Sequence, residues 1–593
     1  MHSWISRVRS PEHAVLSLEV QAEMAQDGRE RGRFEVLVRH LLDRFFNNEL
    51  MATDGETTRA VQAGYLIALP GLLVALYLFA SYHQPGAVRG FWQQVNDHYF
   101  YVMYSMVVMG VVTVCEWDLL FPDLLDVFVL SVLPIRDRRL FAARVLALTI
   151  FFVMVLVGIN LLGALFFPLV ADLPSLWAHL FAHAAAVAMG GCFMASLFLM
   201  VQGILLNVLG ERMFRRIAPL LQGVSITVLL TVLFLFSLVS HYLQALLASG
   251  NTAVRWFPPF WFLGVYERLL HGEAAPIVFR ELASTGCWAT LFSCCTVLVT
   301  YPLAYRRRVR QLIEGSGSSD MRIWLARPLH GVLHRTVLRL PARRAVFHFV
   351  SQTLLRTQKH RVLLAMYGGL GIAFALAELL VLQIDGSRVR IGFMGEGVRA
   401  ALPVLAFWTV AGLRTALGAP VDRRGGWVFR VIQGRPTLEH LNGAKIWVAL
   451  WGLAISLLTV GALREVAPNG LRAPLATVGQ IVVALGLCLL LTDFLFMKTL
   501  AVPFTELRRA SITDMPLLFV RYFVMFPVLV LAILGLETWM ESSVWRLTQV
   551  MALIVVAHLW WRWRYKERVR EWRLGSDFED TDQLFQGLGL RDS

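Results

Sequence analysis

The sequence predicts an all-α integral membrane protein with about twelve transmembrane helices in two parallel six-helix repeats. The first observation is composition: 57% of the 593 residues are hydrophobic, 16% are charged, and the mean hydropathy is +0.60. The second is a series of about a dozen apolar runs of roughly 20 residues, the length at which a helix crosses a bilayer. The third is a pair of sequence matches between the two halves of the chain.

The N-terminal segment, residues 1–63, is charged and has no short apolar core followed by a small-residue cleavage site, so we expect no removable signal peptide. Its residues 34–50 place apolar side chains at helical spacing on one face, which predicts an amphipathic helix at the cytoplasmic membrane surface. Residues 345–360 precede the seventh span in the same way. These two predicted elbow helices either anchor the chain only or transmit motion into the first span of each half.

The candidate spans are twelve apolar runs, and the longest of them must be tilted or broken to fit the bilayer. Their bounds are 64–82, 99–115, 145–170, 178–208, 218–247, 284–305, 362–383, 400–416, 446–462, 473–497, 516–537 and 544–563. An even number of spans places both termini on one side. The segments on the side of the two termini contain 44 lysine and arginine residues, whereas the loops on the opposite side contain 10. Such an excess is typical of cytoplasmic segments. We therefore expect a multi-pass protein of the cell (inner) membrane with both termini in the cytoplasm. The net charge of +14 then requires no nucleic-acid partner.

The two sequence matches fall at equivalent points in the succession of spans. Leu140 and Arg144 precede Leu441 and Lys445 by 301 residues, and each pair opens the span after a cytoplasmic loop. The motif YRRRVR at the end of the sixth span matches YKERVR at the end of the twelfth. Because six is even, both halves enter the membrane in the same sense, as parallel repeats do. The predicted organisation is a cytoplasmic N-terminal segment at 1–63, a first six-span half at 64–305, a basic linker with the second elbow helix at 306–361, a second six-span half at 362–563, and a cytoplasmic tail at 564–593.

Two polar stretches follow the second and eighth spans, namely LPIRDRRLFAAR at 133–144 and RPTLEHLNGAK at 435–445. In the first, a proline ends the preceding helix and charged residues open the next one, which predicts a rigid cytoplasmic protrusion. Such a protrusion is suited to docking a soluble partner, and the alternative is an ordinary basic loop that obeys the charge rule. On the other side, the aromatic stretch PPFWFLGVYERLL at 258–270 predicts an interfacial or re-entrant helix.

Glu378 and Asp493 are ionisable residues inside predicted spans, where a charge is costly and marks a functional candidate. Both lie near span ends, so a local hydrogen-bonded role is the alternative. No span carries the series of carboxylates and histidines expected of a proton-driven pump. The six cysteines lack metal-ligand spacing, and the motifs HExxH, GxSxG and GxxxxGK[ST] are absent from the sequence. We therefore expect no catalytic residue, metal or cofactor, and any ATP hydrolysis must come from another polypeptide.

The order of these features resembles the membrane subunit of a type-two ATP-binding-cassette exporter. The shared features are an elbow helix, a leucine-proline step with basic residues after the second span, and an aromatic outer segment before the sixth. The likeness is closer over the first 310 residues, since RPTLEHLNGAK lacks the leucine-proline step. The resemblance implies a separate ATPase subunit, in two copies, that contacts both cytoplasmic loops. The residues placed at that contact are Pro134, Arg136, Asp137, Arg138 and Arg139 in the first half and Arg435, Thr437, Glu439 and His440 in the second.

The expected function is thus the permease subunit of an ATP-driven exporter, which lies in membrane lipid, forms the translocation pathway and is not itself an enzyme. A twelve-span secondary carrier is the first alternative, but the loop after the second span lacks the glycine typical of that class. A polytopic lipid-linked glycosyltransferase is the second alternative. Asp97 with His98 is the only nearby pair that fits the outer acidic group such an enzyme needs.

Overall fold

Long apolar helices dominate the computed structural model. It describes residues 34–45, 57–83, 89–117, 119–122, 127–128, 135–170, 176–209, 211–314, 333–385, 388–419, 437–466, 473–497, 499, 502–504 and 514–575. Eleven helices within these ranges are long and apolar enough to cross a membrane, and the chain is a multi-pass membrane protein.

The elements fall on either side of the linker. Those before it are α1 (34–45), α2 (Thr57–Tyr82), α3 (Phe91–Cys115), α4 (Asp137–Val170), α5 (Leu176–Val208), α6 (Glu211–Phe234), α7 (Phe236–His241), α8 (Leu243–Ala248), α9 (Thr252–Arg255), α10 (Pro258–His271), a 3₁₀ turn (Gly272–Ala274) and α11 (Ile277–Glu314). Those after it are α12 (Pro341–Arg356), α13 (Gln358–Leu379), β1 (Leu380–Asp385), β2 (Arg388–Phe393), α14 (Gly395–Gly418), α15 (Leu438–Val466), α16 (Pro474–Leu495), α17 (Asp514–Met540) and α18 (Val544–Gly575).

The predicted spans correspond to α2, α3, α4, α5, α6, α11, α13, α14, α15, α16, α17 and α18. The first is the weakest, because the described apolar part of α2 is the short stretch Ala68–Tyr82. Large apolar side chains on the outer faces remain exposed, for example Leu458 at 74% and Val528 at 67%. Such exposure is stable only where hydrocarbon replaces water around the helix.

Two of the predicted spans, the fifth and the seventh, continue beyond the end of the helix that they predict. The run 218–247 is not one helix, since α6 ends at Phe234 and two single-turn helices follow it. The run 362–383 ends as a helix at Leu379, after which the backbone is extended and enters a β-hairpin. This hairpin is the only β-structure within the described residues, which otherwise agree with the all-α prediction. Its strands alternate β-branched residues with polar ones around Asp385 and the following glycine, a pattern that favours a two-residue hairpin turn over a helix.

The two largest clusters of buried side chains lie one before and one after the linker, and a third joins the elbow helix α1 to the first half. Before the linker, α3 packs on α5 and α6, and α5 packs on α4 and α11. After the linker, α14 packs on α16 and α17, and α16 packs on α15 and α18. The two clusters meet where α6 lies against α13, with the rings of Phe234 and Phe374 4.2 Å apart. The hairpin adds Leu382, Ile384 and Val389 to the cluster before the linker.

Helices are present at both positions where elbow helices are predicted. Helix α1 buries Leu41 and Phe45, and the Phe45 ring stacks on Phe151 of α4 at 5.0 Å. The second elbow helix is α12, which begins and ends four residues earlier than predicted. It packs on α15, where Trp447 donates a hydrogen bond from Nε1 to the Ser351 hydroxyl at 2.7 Å. Residues 46–50 of the first elbow prediction lie outside the described residues.

Candidate functional site

The predicted aromatic outer segment forms α10, a helix of 14 residues that is too short to cross a bilayer. Its first two residues are prolines, whose fixed φ suits a helix start and whose missing N–H costs no hydrogen bond there. Gly272, with φ +58°, follows its last residue. Gly264 lies directly on α11, since a Cβ there would be 2.7 Å from the Phe279 carbonyl oxygen. This close packing accompanies the burial of residues 259–267 of α10.

A cluster of polar side chains, all buried except the half-buried His271, forms where α10 meets the N-terminal parts of α3 and α5. We call it the histidine cluster, and its members are His98, His179, His183, Tyr266, Glu267 and His271. The Nδ1 of His98 lies 2.6 Å from Oε1 of Glu267, and both residues are fully buried. The Tyr266 hydroxyl lies 2.7 Å from Nε2 of His179 and 3.2 Å from Nδ1 of His183. The rings of His98 and Tyr266 stack at 4.0 Å, so the cluster is continuous across three helices.

Glu267 is the anionic member of the histidine cluster. Burial raises the pKa of its carboxyl, but His98 and His271 outweigh burial and lower that pKa to about 2. The Nδ1 of His271 lies 3.3 Å from Oε2 of Glu267, although the two are not aligned for a hydrogen bond. The carboxylate therefore stays charged at neutral pH and binds α10 to α3.

Each of the three fully buried histidines of the cluster has one ring nitrogen without a hydrogen-bond partner within the described residues. These nitrogens are His98 Nε2, His179 Nδ1 and His183 Nε2. Imidazoles next to a buried carboxylate can accept and release protons, so the arrangement has the groups that proton exchange requires. No group of three or more His, Cys, Asp or Glu side chains suited to a metal ion occurs in the described part of the chain.

This cluster was not predicted from the sequence, because the sequence prediction considered only series of histidines and carboxylates within single spans, and no span carries one. His98 and Glu267 are 169 residues apart, and only the packing of α10 brings them into contact. One signal was present, because His179 and His183 are four residues apart and share a helix face. Asp97, paired with His98 in the glycosyltransferase alternative, has other partners. Its carboxylate accepts hydrogen bonds from Arg89 at 2.6 Å and Tyr82 at 3.0 Å.

A second polar cluster contains the predicted residue Asp493. Its Oδ2 lies 2.5 Å from Nδ1 of His558 on α18, and its Oδ1 lies 4.0 Å from Nζ of Lys445 on α15. The Lys445 ammonium lies 3.3 Å from the centre of the Tyr565 ring, and Tyr565 donates a hydrogen bond to the Thr499 carbonyl at 3.0 Å. We call these residues the lysine cluster. It joins α15, α16 and α18.

Arg144, which the sequence match pairs with Lys445, makes different contacts. Its Nη2 donates to the carbonyl oxygens of Leu119 at 2.8 Å and Phe121 at 2.7 Å, just beyond the end of α3. The Tyr301 hydroxyl of α11 donates to the carbonyl between them, that of Leu120, at 2.8 Å. The start of α4 is therefore bound to the segment after α3.

The predicted ATPase contact of the first half lies at the start of α4. Arg136, Asp137, Arg138 and Arg139 are all exposed there. In the second half, Thr437, Glu439 and His440 are half-buried at the start of α15. The His440 ring binds the Thr437 hydroxyl at 2.7 Å, and Glu439 forms an ion pair with Arg343 of the elbow helix α12. Pro134 and Arg435 lie outside the described residues.

No known family matches this chain. No curated protein and no solved structure is significantly similar to it either. Functional inference therefore depends on the geometry of the chain itself.

Asp493 and Glu378, the two ionisable span residues predicted from sequence, have different surroundings. Asp493 is buried in the lysine cluster, whereas Glu378 is exposed near the end of α13. We expect Asp493→Ala to lower the free energy of unfolding by about 2 kcal/mol, because it leaves His558 and Lys445 without their shared carboxylate. The matched control Glu378→Ala should change it by less than about 0.5 kcal/mol. Thermal unfolding of both purified variants measures the difference, and equal midpoints would contradict a structural role for Asp493.

Proposed function

We propose that this chain is the permease subunit of an ATP-driven exporter, in which it forms the translocation pathway and a separate ATPase subunit, in two copies, supplies the energy. The observation that carries the proposal is the exposed, charged turn at residues 136–139, which lies at the start of a 34-residue helix. A soluble partner that binds this turn acts directly on α4. The sequence contains no GxxxxGK[ST] phosphate-binding loop. The proposal therefore assigns ATP hydrolysis to another polypeptide.

The contacts behind the turn support transmission of a push into the bundle. Arg144 joins the start of α4 to the carbonyls beyond α3, and Phe45 joins the elbow helix α1 to α4. A displacement of the turn is therefore shared by α1, α3 and α4. The opposite end of α3 carries His98, so this helix connects the charged turn with the histidine cluster.

The second half supports the proposal less directly. Its elbow helix is bound to the start of α15 by the ion pair between Arg343 and Glu439. The backbone of Gly443 packs on Arg343, since a Cβ there would lie 2.8 Å from the Arg343 carbonyl oxygen. Glu439 is thus already engaged within the chain, which favours the first half as the stronger contact of the ATPase subunit.

The proposed arrangement is two parallel six-helix repeats with both termini in the cytoplasm. Four helix pairings support it, because they recur in both halves when the helices are numbered as spans. The second span packs on the fourth and fifth, and the fourth packs on the third and sixth. The charge asymmetry of the loops supports the orientation.

The experiment is to purify the tagged full chain from its native membrane with a non-hydrolysable ATP analogue present. We expect an ATP-binding-cassette ATPase subunit to copurify, and its ATP hydrolysis to change when the permease chain is removed. Purification of the chain without any nucleotide-binding protein under these conditions would overturn the proposal.

A proton-coupled secondary carrier is the second candidate, and the histidine cluster is the observation that favours it. Three histidines and a carboxylate buried on three helices are suited to proton movement. Sealed vesicles distinguish the two candidates: ATP depletion stops an ATP-driven exporter, whereas an imposed proton gradient drives a secondary carrier without ATP.

A further inference from the structure

Between Val556 and Arg570, one face of the C-terminal helix α18 is directed away from the protein. This outer stripe consists of Val556, Leu559, Trp563, Lys566 and Arg570, which follow one another at the three- and four-residue spacing of a helix face. All five residues are exposed, Val556 at 63% and Trp563 at 55%. The stripe is therefore a continuous surface.

The opposite face of α18 fixes this orientation. His558 binds Asp493, the Trp561 ring lies 5.6 Å from Phe494, and Tyr565 and Val569 are buried. These contacts recur every three to four residues on the inward side. The five stripe residues consequently cannot turn towards the bundle without breaking the lysine cluster.

The order of side chains along the outer stripe matches the order of layers at a membrane surface. Val556 and Leu559 suit hydrocarbon, the Trp563 ring suits the polar boundary, and Lys566 and Arg570 suit the headgroup layer. Trp563 and Arg570 are seven residues apart, which is about 10 Å along a helix. The two cations thus lie just beyond the aromatic ring, at the depth of lipid phosphates.

The first half has a related stripe without the aromatic residue. By the match between YRRRVR and YKERVR, Leu303, Arg306 and Arg310 of α11 correspond to Trp563, Lys566 and Arg570. All three are exposed as well. Both halves therefore have two cations four residues apart at this position, but only the second half has an aromatic residue, Trp563, before them.

We propose that the outer stripe of α18 is a binding site for anionic phospholipids, whose headgroup phosphate is held by Lys566 and Arg570 and whose acyl chains lie beside Trp563 and Leu559. Two cations four residues apart on an exposed face have the charge and spacing to bind one phosphate group between them. The apolar part of the stripe selects a lipid over a soluble phosphate. The site gives the second half a contact with membrane lipid that is independent of any transported substrate.

The test uses the full-length chain in detergent and compares binding of phosphatidylglycerol and phosphatidylcholine with identical acyl chains by native mass spectrometry. The unaltered chain should prefer phosphatidylglycerol. The double variant Lys566→Gln/Arg570→Gln should weaken phosphatidylglycerol binding by about fivefold per cation, or about 25-fold, and leave phosphatidylcholine binding unchanged. Trp563→Ala should weaken binding of both lipids.

The matched control is Arg564→Gln/Arg568→Gln, which removes two exposed cations with the same spacing from a different face of the same helix. It should retain phosphatidylglycerol binding within about twofold of the unaltered chain, a smaller change than the loss of even one headgroup cation. Equal loss in the control variant would overturn the proposal in favour of a diffuse charge effect. So would full competition by glycerol 3-phosphate, which would assign the cations to a soluble phosphate.

A further comparison distinguishes a lipid-binding site from a contact with a protein partner. If Lys566→Gln/Arg570→Gln retains its preference for phosphatidylglycerol but loses a copurifying ATPase subunit, the stripe is a protein contact and the lipid proposal fails. Thermal unfolding of each variant controls for loss of fold.

Discussion

Glu267→Ala is expected to lower the free energy of unfolding by about 3–5 kcal/mol, the largest stability effect in the chain. The substitution removes the carboxylate from His98 and leaves buried polar groups of α3 and α10 without a partner. The loss is large because both residues are inaccessible to water, which cannot replace the missing hydrogen bond. Thermal unfolding or denaturation of the purified protein in detergent measures it.

The control for Glu267→Ala is the double variant His98→Leu/Glu267→Leu. Replacing both members of a buried pair by apolar residues of similar size is often close to neutral, because no unpaired charge remains. We expect the double variant to recover most of the lost stability. If the single alanine variant unfolds at the same temperature as the unaltered chain, the pair does not hold α10 to α3.

A pH series gives a second measurement of the same interaction. The ordinary pKa of a glutamate is near 4.5, and in the folded protein that of Glu267 is lowered to about 2. A group with a lowered pKa stabilises the fold above its unfolded value, and the contribution is lost as pH falls towards the folded value. The stability difference between the unaltered chain and Glu267→Gln should therefore be constant near neutral pH and shrink below about pH 4.5. A constant difference down to pH 3 would contradict the charge assignment.

The second prediction concerns coupling to the ATPase subunit. Arg136→Glu/Arg138→Glu should weaken retention of that subunit by at least about tenfold, since reversed charges at a charge-complementary contact repel the partner. The same variant should change thermal unfolding little, because both side chains are exposed and lie at the very start of α4. Copurification at fixed ionic strength and ATP hydrolysis of the isolated complex are the measurements.

The control reverses two cations that the proposal does not place at the contact, Arg306 and Arg310 of α11, which are exposed at the matching end of the sixth span. Arg306→Glu/Arg310→Glu should retain the ATPase subunit. Equal loss in both variants would indicate non-specific attraction of charge. No loss in either would remove residues 136–139 from the contact and leave the proposed function without its main support.

The sequence predicted most of the helical architecture because the length and apolarity of a transmembrane helix are set by the bilayer alone. It also predicted helices at both elbow positions, since amphipathic spacing is a local signal. It singled out Asp493 and Glu378 alike, and only the packing buries the first and leaves the second exposed. The prediction of the seventh span was wrong beyond Leu379, because the apolar run continues past the end of the helix into a strand that begins at Leu380. Hydropathy cannot separate those two conformations, and only the β-branched pattern with the turn residues does so.

The histidine cluster could not be predicted as a unit. His98, His183 and Glu267 belong to three separate segments, and their contact is created by the docking of a short helix that is not a span. Long-range packing of this kind has no periodic signal in the sequence. No single span carries a carboxylate-histidine series, but this absence did not exclude a cluster assembled from two spans and a short helix.

The packing of α6 on α13 has a consequence for how the two halves can move. An exact twofold arrangement would repeat this contact between α2 and α17, yet these helices make no comparable contact within the described residues. Within the described residues, the main contact between the halves is therefore that of α6 with α13, beside the hairpin. A contact on one side only has the geometry of a hinge, so a small rotation about it would separate the opposite edges of the two halves.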